Sequence, residues 1–264
     1  MSSCFDFPLD LQRDILEFSA RVDVRIALQL VLVSSLVRSW IDPVLYEAVT
    51  LIHQPTASQF LVAIQLKQAG FFANVKALCI GYHLGAELAS KVLAVCTRVE
   101  ELACWVPTHK LSTRLDISPC RLSIRIADSH FELPFKPEPA PDFSTSLYSN
   151  VTHLEFMDDI QQWNGWDHFD RIPKLTHLSL SWTDEGNDPS TLVTRILASC
   201  PKLQILLLLL DKHEHESGLA LFGSPRVVVM HDAGSFANWE ARMADKPDRW
   251  DAAEAIAETQ GRFA

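Results

Sequence analysis

Two histidines, His153 and His177, occupy the same place in two matching segments, Val151-x-x-Leu154-x-Phe156 and Leu175-x-x-Leu178-x-Leu180. In neighbouring strands their imidazoles would stand side by side, about 4.8 Å apart, with Glu155 next to them. Such a pair can form a polar or pH-sensitive recognition patch, or it can be ordinary solvated strand surface. A metal centre would need a third or fourth ligand, and none is expected. His213-Glu214-His215-Glu216 has metal-ligating residue types, but between a strand and Ser217-Gly218 it reads as a solvated loop. Asp158-Asp159 is a carboxylate pair without a matched partner. Cys4, Cys79, Cys96, Cys104, Cys120 and Cys200 form no C-x-x-C pair and mostly lie in apolar segments, as buried reduced thiols do. The chain has no G-x-G-x-x-G, P-loop, H-E-x-x-H or G-x-S-x-G sequence. Neither enzymatic activity nor a cofactor is expected.

The histidines belong to a recurring pattern of apolar, two variable, apolar, variable, apolar. It appears at Val75-x-x-Leu78-x-Ile80, Val99-x-x-Leu102-x-Cys104, the two histidine segments, and Leu203-x-x-Leu206-x-Leu208. Val227-x-x-Met230 is a weaker copy, and Leu122-x-Ile124-x-Ile126 gives a strand without the full template. The period, roughly 22–30 residues, lies in the leucine-rich-repeat range. Helical patterns over 87–96 and 191–200 separate strands, so the strands should stack in parallel with helices on the convex side. Variable strand positions then face the concave side. They include Glu101, Trp105, His153, Glu155, His177, Ser179 and Leu207, the candidate contacts for a partner protein. The strip Ile205, Leu207 and Leu209 is apolar and should not stay wet. Either a substrate or the C-terminal tail covers it, and the tail offers Phe236, Trp239, Met243, Trp250 and Ile256. Leu203 to Leu210 reads as a buried strand, being far shorter than the roughly 20 residues of a membrane helix. Two segments break the regularity: a proline-rich surface loop over 133–141, and a loop over 158–170 holding Trp163, Trp166 and Phe169.

The first fifty residues differ in kind. Leu11, Ile15, Leu16 and Phe18 recur at helical spacing after Phe7-Pro8. A second helix over about 24–33 is apolar nearly all round. A third carries Leu36, Val37, Trp40 and Ile41 until Asp42-Pro43 breaks the chain direction. So short a unit cannot bury so many large side chains internally. The surplus must meet the rest of the chain or another protein.

Of the 264 residues, 48% are apolar, enough for a substantial core, and the net charge is −10. An acidic chain without a Lys/Arg run is not expected to bind nucleic acid or anionic membrane. Met1-Ser2-Ser3-Cys4 has no basic n-region followed by an apolar stretch. An intracellular protein, cytoplasmic or nuclear, is expected.

Phe7-Pro8-x-x-Leu11-x-x-x-Ile15-Leu16, Leu30-Val31-Leu32-Val33-Ser34 and Asp42-Pro43-Val44-Leu45-Tyr46 together resemble an F-box, most closely those of F-box-like proteins of mushroom-forming fungi. Leu197-Ala198-Ser199-Cys200-Pro201-Lys202-Leu203 resembles the helix-to-strand joint of the leucine-rich repeats in F-box proteins. The resemblance implies an α/β chain with an F-box-like helical motif (5–50), an irregular leucine-rich-repeat solenoid (51–232) and a helical tail (233–264). It implies a Skp-type adaptor bound by Phe7, Pro8, Leu11, Ile15, Leu16, Leu30 and Val33, and through it a cullin ligase core. The chain would be a substrate-recognition subunit of an SCF-type ubiquitin ligase. Ser35-Leu36 stands where the family usually has a Lys or Arg, and Val37 where an aromatic often follows. That departure motivates the alternative, a protein-interaction scaffold without ligase coupling.

Overall fold

The computed structural model describes residues 7–66, 71–111, 116–126, 141–159, 165–182, 190–210, 224 and 226–259. The chain opens with three helices, α1 (Leu9–Val22), α2 (Val24–Leu30) and α3 (Ser35–Leu45). Asp23 separates the first two in extended conformation, and its carboxylate accepts from the Arg25 amide at 2.8 Å. Ser34 caps α3 by accepting from the Val37 amide at 3.1 Å. Both residues satisfy amides that a helix start leaves without a partner. Asp42-Pro43 does not break the chain direction as expected. Pro43 lies in the last turn of α3, where the absent proline N–H removes a single helical bond. Ala20, Ala27, Val37 and Ile41 form the small core of this unit.

Among the described residues, eight strands form one open, all-parallel sheet in chain order. They are β1 (Ala48–Leu51), β2 (Ala77–Ile80), β3 (Glu101–Cys104), β4 (Arg121–Ile124), β5 (His153–Asp159), β6 (His177–Trp182), β7 (Ile205–Leu210) and β8 (Val227–His231). Leu78, Leu102, Leu122, Leu154, Leu178 and Leu206 stand in one register row, the fourth position of the repeating pattern. β1 starts the sheet ahead of the expected repeats, with Val49 beside Leu78. Strand β8 departs from the pattern by three residues. Val227 pairs with Leu206 and Met230 with Leu209, so Val227 and Val229 face the main core while Val228 and Met230 face away from it.

Helices α4 (Gln54–Leu66), α5 (Ala86–Val95) and α6 (Ser190–Ser199) cover one face of the sheet. Among the described residues, 3-10 segments at Thr108–Lys110, Ser146–Tyr148 and Gly165–Arg171 lie between other strands, and another, Phe71–Asn74, follows α4 ahead of β2. Within the expected 158–170 loop, β5 runs to Asp159 and a 3-10 helix spans Gly165–Arg171. Its Phe169 is buried against Phe143 and Phe156, while Trp163 lies outside the described residues. Most of the expected proline-rich loop (133–141) and all of the His213–Glu216 run also lie outside them. Tyr46, Phe60, Phe71 and Phe72 form a largely edge-to-face cluster where α3 meets the sheet. Gly81 follows β2 where a Cβ would lie 3.0 Å from the Ile52 backbone, so the close approach requires glycine.

Two further helices, α7 (Ser235–Met243) and α8 (Arg249–Thr259), lie on the opposite face. The sheet is thus sandwiched, with apolar side chains buried on both sides, as expected of a parallel sheet. Among the described residues no helix is long and apolar enough to cross a membrane.

Candidate functional site

The tail-covered face is built from alternate strand residues. One register row runs Glu101, Arg121, His153, His177 and Ile205, and the next Ala103, Ser123, Glu155, Ser179 and Leu207. Each end of the face is apolar. Trp239, Phe236 and Met243 pack on Ala77, Cys79, Ala103 and Trp105. Trp250, Ala253 and Ala257 cover Ile205, Leu207, Leu209 and Val228.

The middle is charged, and the tail supplies the complements. Arg242 donates to both carboxylate oxygens of Glu101, at 2.6 and 2.7 Å. Asp248 accepts from Arg121 at 3.1 Å and from Arg242 at 3.2 Å. Arg249 donates to Glu155, with both side chains more than nine-tenths buried, and to Asp232 at 3.1 Å. Ser235 adds a 2.9 Å bond to the same Glu155 oxygen. Asp248 also starts α8. It accepts from the amides of Trp250 and Asp251 at 2.8 and 3.1 Å, while its own amide donates to Asp251. This reciprocal arrangement is a capping box with aspartates. Burial pushes the Asp248 carboxyl up, but those amides, Arg121 and Arg242 more than reverse it and hold it below its usual value. A cavity of about 50 Å³ remains among Glu101, Ser123, His153, Trp239 and Arg242. That is room for a few waters, not a metabolite.

The histidines do stand side by side, their rings stacked at 4.2 Å and 8° from parallel. Trp250 meets both edge-on, at 5.3 and 5.7 Å. Glu254 of α8 places an oxygen 3.3 Å from His177 Nε2. Each ring Nδ1 is beside the preceding threonine hydroxyl, His153 by Thr152 at 2.9 Å and His177 by Thr176 at 2.8 Å. Those hydroxyls reach the carbonyls of Cys120 and Thr152, at 3.0 and 3.1 Å. Burial, the neighbouring His177 and Arg121 push His153 down to about 3; burial and Arg121 push His177 down to about 4. Both rings are therefore neutral near pH 7. Glu155, expected beside them, is engaged by Arg249 and Ser235 instead.

The candidate partner contacts thus meet the chain's own tail. Trp105, Glu155, His177, Ser179 and Leu207 are buried, and Glu101 and His153 are half-buried. The correction has a physical cause: a strip as apolar as Ile205, Leu207 and Leu209 gains most when covered by the nearest apolar helix. Ser179 Oγ, fully buried, has no hydrogen-bond partner among the described residues. Four of the five described cysteines are buried free thiols as expected, but Cys120 is exposed.

The N-terminal unit presents the opposite picture. Phe7, Pro8, Leu11, Ile15 and Val33 are exposed, while Leu16 and Leu30 are half-buried against the unit's own core. Phe18 is 69% exposed, Leu32 76% and Val33 67%, and Leu28 and Leu36 are about half exposed. Phe18, Leu28 and Leu36 lie on α1, α2 and α3, and Leu32 and Val33 in the turn that joins α2 to α3.

Sequence reasoning missed Arg121, Arg242, Asp248, Arg249 and Glu254. The Asp248-x-x-Asp251 spacing ahead of an alanine-rich run signals a helix start. Nothing in the local sequence pairs these residues with Glu101, Glu155 or the histidines. No protein-family model, curated protein or solved structure matches this chain.

Proposed function

We propose that this chain is a substrate-recognition subunit of an SCF-type ubiquitin ligase. Its N-terminal helices dock as an F-box on a Skp-type adaptor, which joins it to a cullin core. Its parallel sheet, read as an irregular leucine-rich-repeat solenoid, carries a target protein. The chain does no chemistry; it contributes proximity and orientation of the target.

One observation carries this reading: the exposed apolar surface around Leu11, Ile15, Leu32 and Val33, on a unit whose own core is satisfied. Leaving that much large apolar surface in water is unfavourable, and a partner's groove removes it. Because α7 and α8 occupy the inner face, a target binds elsewhere on the body or after the tail has left. Ser35-Leu36, exposed where the resemblance calls for a base, favours the second reading, a scaffold without ligase coupling.

Co-purification with a Skp-type adaptor separates the two. The wild-type chain should form a complex at micromolar concentration. Ile15→Asp with Val33→Asp should abolish it and leave the melting temperature unchanged, since both side chains are exposed. Absence of a wild-type complex, where an established F-box protein binds under the same conditions, rejects the ligase reading.

A further inference from the structure

The geometry points to a divalent metal site of the zinc class formed by His153, His177 and Glu254. One ring nitrogen from each histidine and one carboxylate oxygen lie within 4.8 Å of one another. Ligands about 2.1 Å from a tetrahedral zinc are about 3.4 Å apart. The His177–Glu254 pair already meets this at 3.3 Å. The remaining ligand atoms start as much as 4.8 Å apart, so metal binding draws them together and turns the rings out of their parallel stack.

Three features of the surroundings suit the metal. First, with the ring proton on Nδ1, both histidines complete the same relay. Nδ1–H donates to a threonine hydroxyl, and that hydroxyl donates to the main-chain carbonyl just ahead of the neighbouring strand, Cys120 or Thr152. This outer partner sets the tautomer and leaves Nε2 as a bare lone pair, as at metal-ligating histidines generally. Second, two imidazoles and one carboxylate select zinc, cobalt or nickel over magnesium or calcium, which prefer all-oxygen sets. Third, Trp250 shields one side of the rings while Glu254 is 47% exposed, which leaves a fourth position open to water. The Arg121 charge opposes a cation here, but Asp248 pairs with it at 3.1 Å.

The ligands come from β5, β6 and α8, so the metal ties the tail to the sheet. Binding would hold α8 in place and raise the apparent stability by mass action. This holds whether or not the chain belongs to a ligase.

The test uses the full chain after chelator treatment. Cobalt is titrated by visible absorption, and zinc by calorimetry and thermal melting. One equivalent should bind, with cobalt bands of a four-coordinate site, and zinc should raise the melting temperature. Glu254→Gln, a half-exposed change that keeps the side chain's size, should weaken binding at least tenfold. Thr176→Val should weaken it about 10–100-fold, as loss of an outer partner does. His213→Ala with His215→Ala should leave it intact. Absence of a saturable equivalent in the wild type overturns the proposal. So does Glu254→Gln binding as tightly as wild type, or loss of binding in the His213, His215 variant.

Discussion

Arg249 shows how much one tail residue does at this face. Its guanidinium lies between Glu155 on β5 and Asp232 just past β8, and its amide donates to Asn238 of α7 at 2.8 Å. Arg249→Ala would leave the Glu155 carboxylate buried with Ser235 as its remaining donor. Removing one member of a buried pair costs about 3–5 kcal/mol, and urea denaturation of the variant should show a loss of that order. Asp248 makes a pH-dependent contribution. Its carboxyl titrates below its usual 3.8 in the folded chain, so the unfolded chain takes up that proton first. The stability it confers is complete above about pH 4 and is lost as pH falls through the lower, folded value. The groups facing it are Arg121, Arg242 and the amides of Trp250 and Asp251. Asp248→Asn should therefore lower the midpoint at pH 7 and flatten the acid limb of a stability–pH profile; an unchanged acid limb would contradict this assignment. In the sequence these are ordinary tail charges. Their partners lie far away along the chain, and no local periodicity pairs them.

At the scale of elements, the strands were the most legible part. The repeated Leu at the fourth pattern position became one continuous row because each repeat buries its apolar face only against the next. Helices α5 and α6 fall within a residue of their expected spans for the same reason: their apolar spacing must match the sheet they cover. Two departures are instructive. Val227-x-x-Met230 suggested another copy of the pattern, yet β8 slides three residues and turns Val227 and Val229 to the main core. Among the described residues β8 is the last strand of the sheet, paired on one side only, and β-branched residues pack well on a pleated core face. β1 was missed because its Val49 and Leu51 give a single apolar alternation, too short to distinguish from a loop. The coverage of β7 by α8 is directly testable. Leu207→Ser with Leu209→Ser in the full chain should cost at least about 2–5 kcal/mol at each site, because both side chains are buried under α8. Unchanged denaturation midpoints would mean that α8 does not dock there.

On the scale of the whole molecule, two apolar surfaces have different fates. The inner face of the sheet is closed by the chain itself, through Trp239 and Trp250 at its ends and ion pairs in its middle. The outer surface of α1, α2 and the start of α3 stays open, and the adaptor prediction rests on that contrast. Local sequence was sufficient for the α/β class, the stacked parallel strands, the pairing of His153 with His177 and the apolar surplus of the first fifty residues. Those properties follow from periodicity, which the backbone converts into faces without reference to distant residues. Only the tertiary structure decided which apolar surface is covered. It also decided that the face expected to meet a partner meets the tail, and that Glu254 arrives as a third ligand beside the two rings. Docking of α7 and α8 depends on charge pairs and shape between segments far apart in the chain. Such complementarity has no period, so it becomes readable only when the two surfaces are seen together.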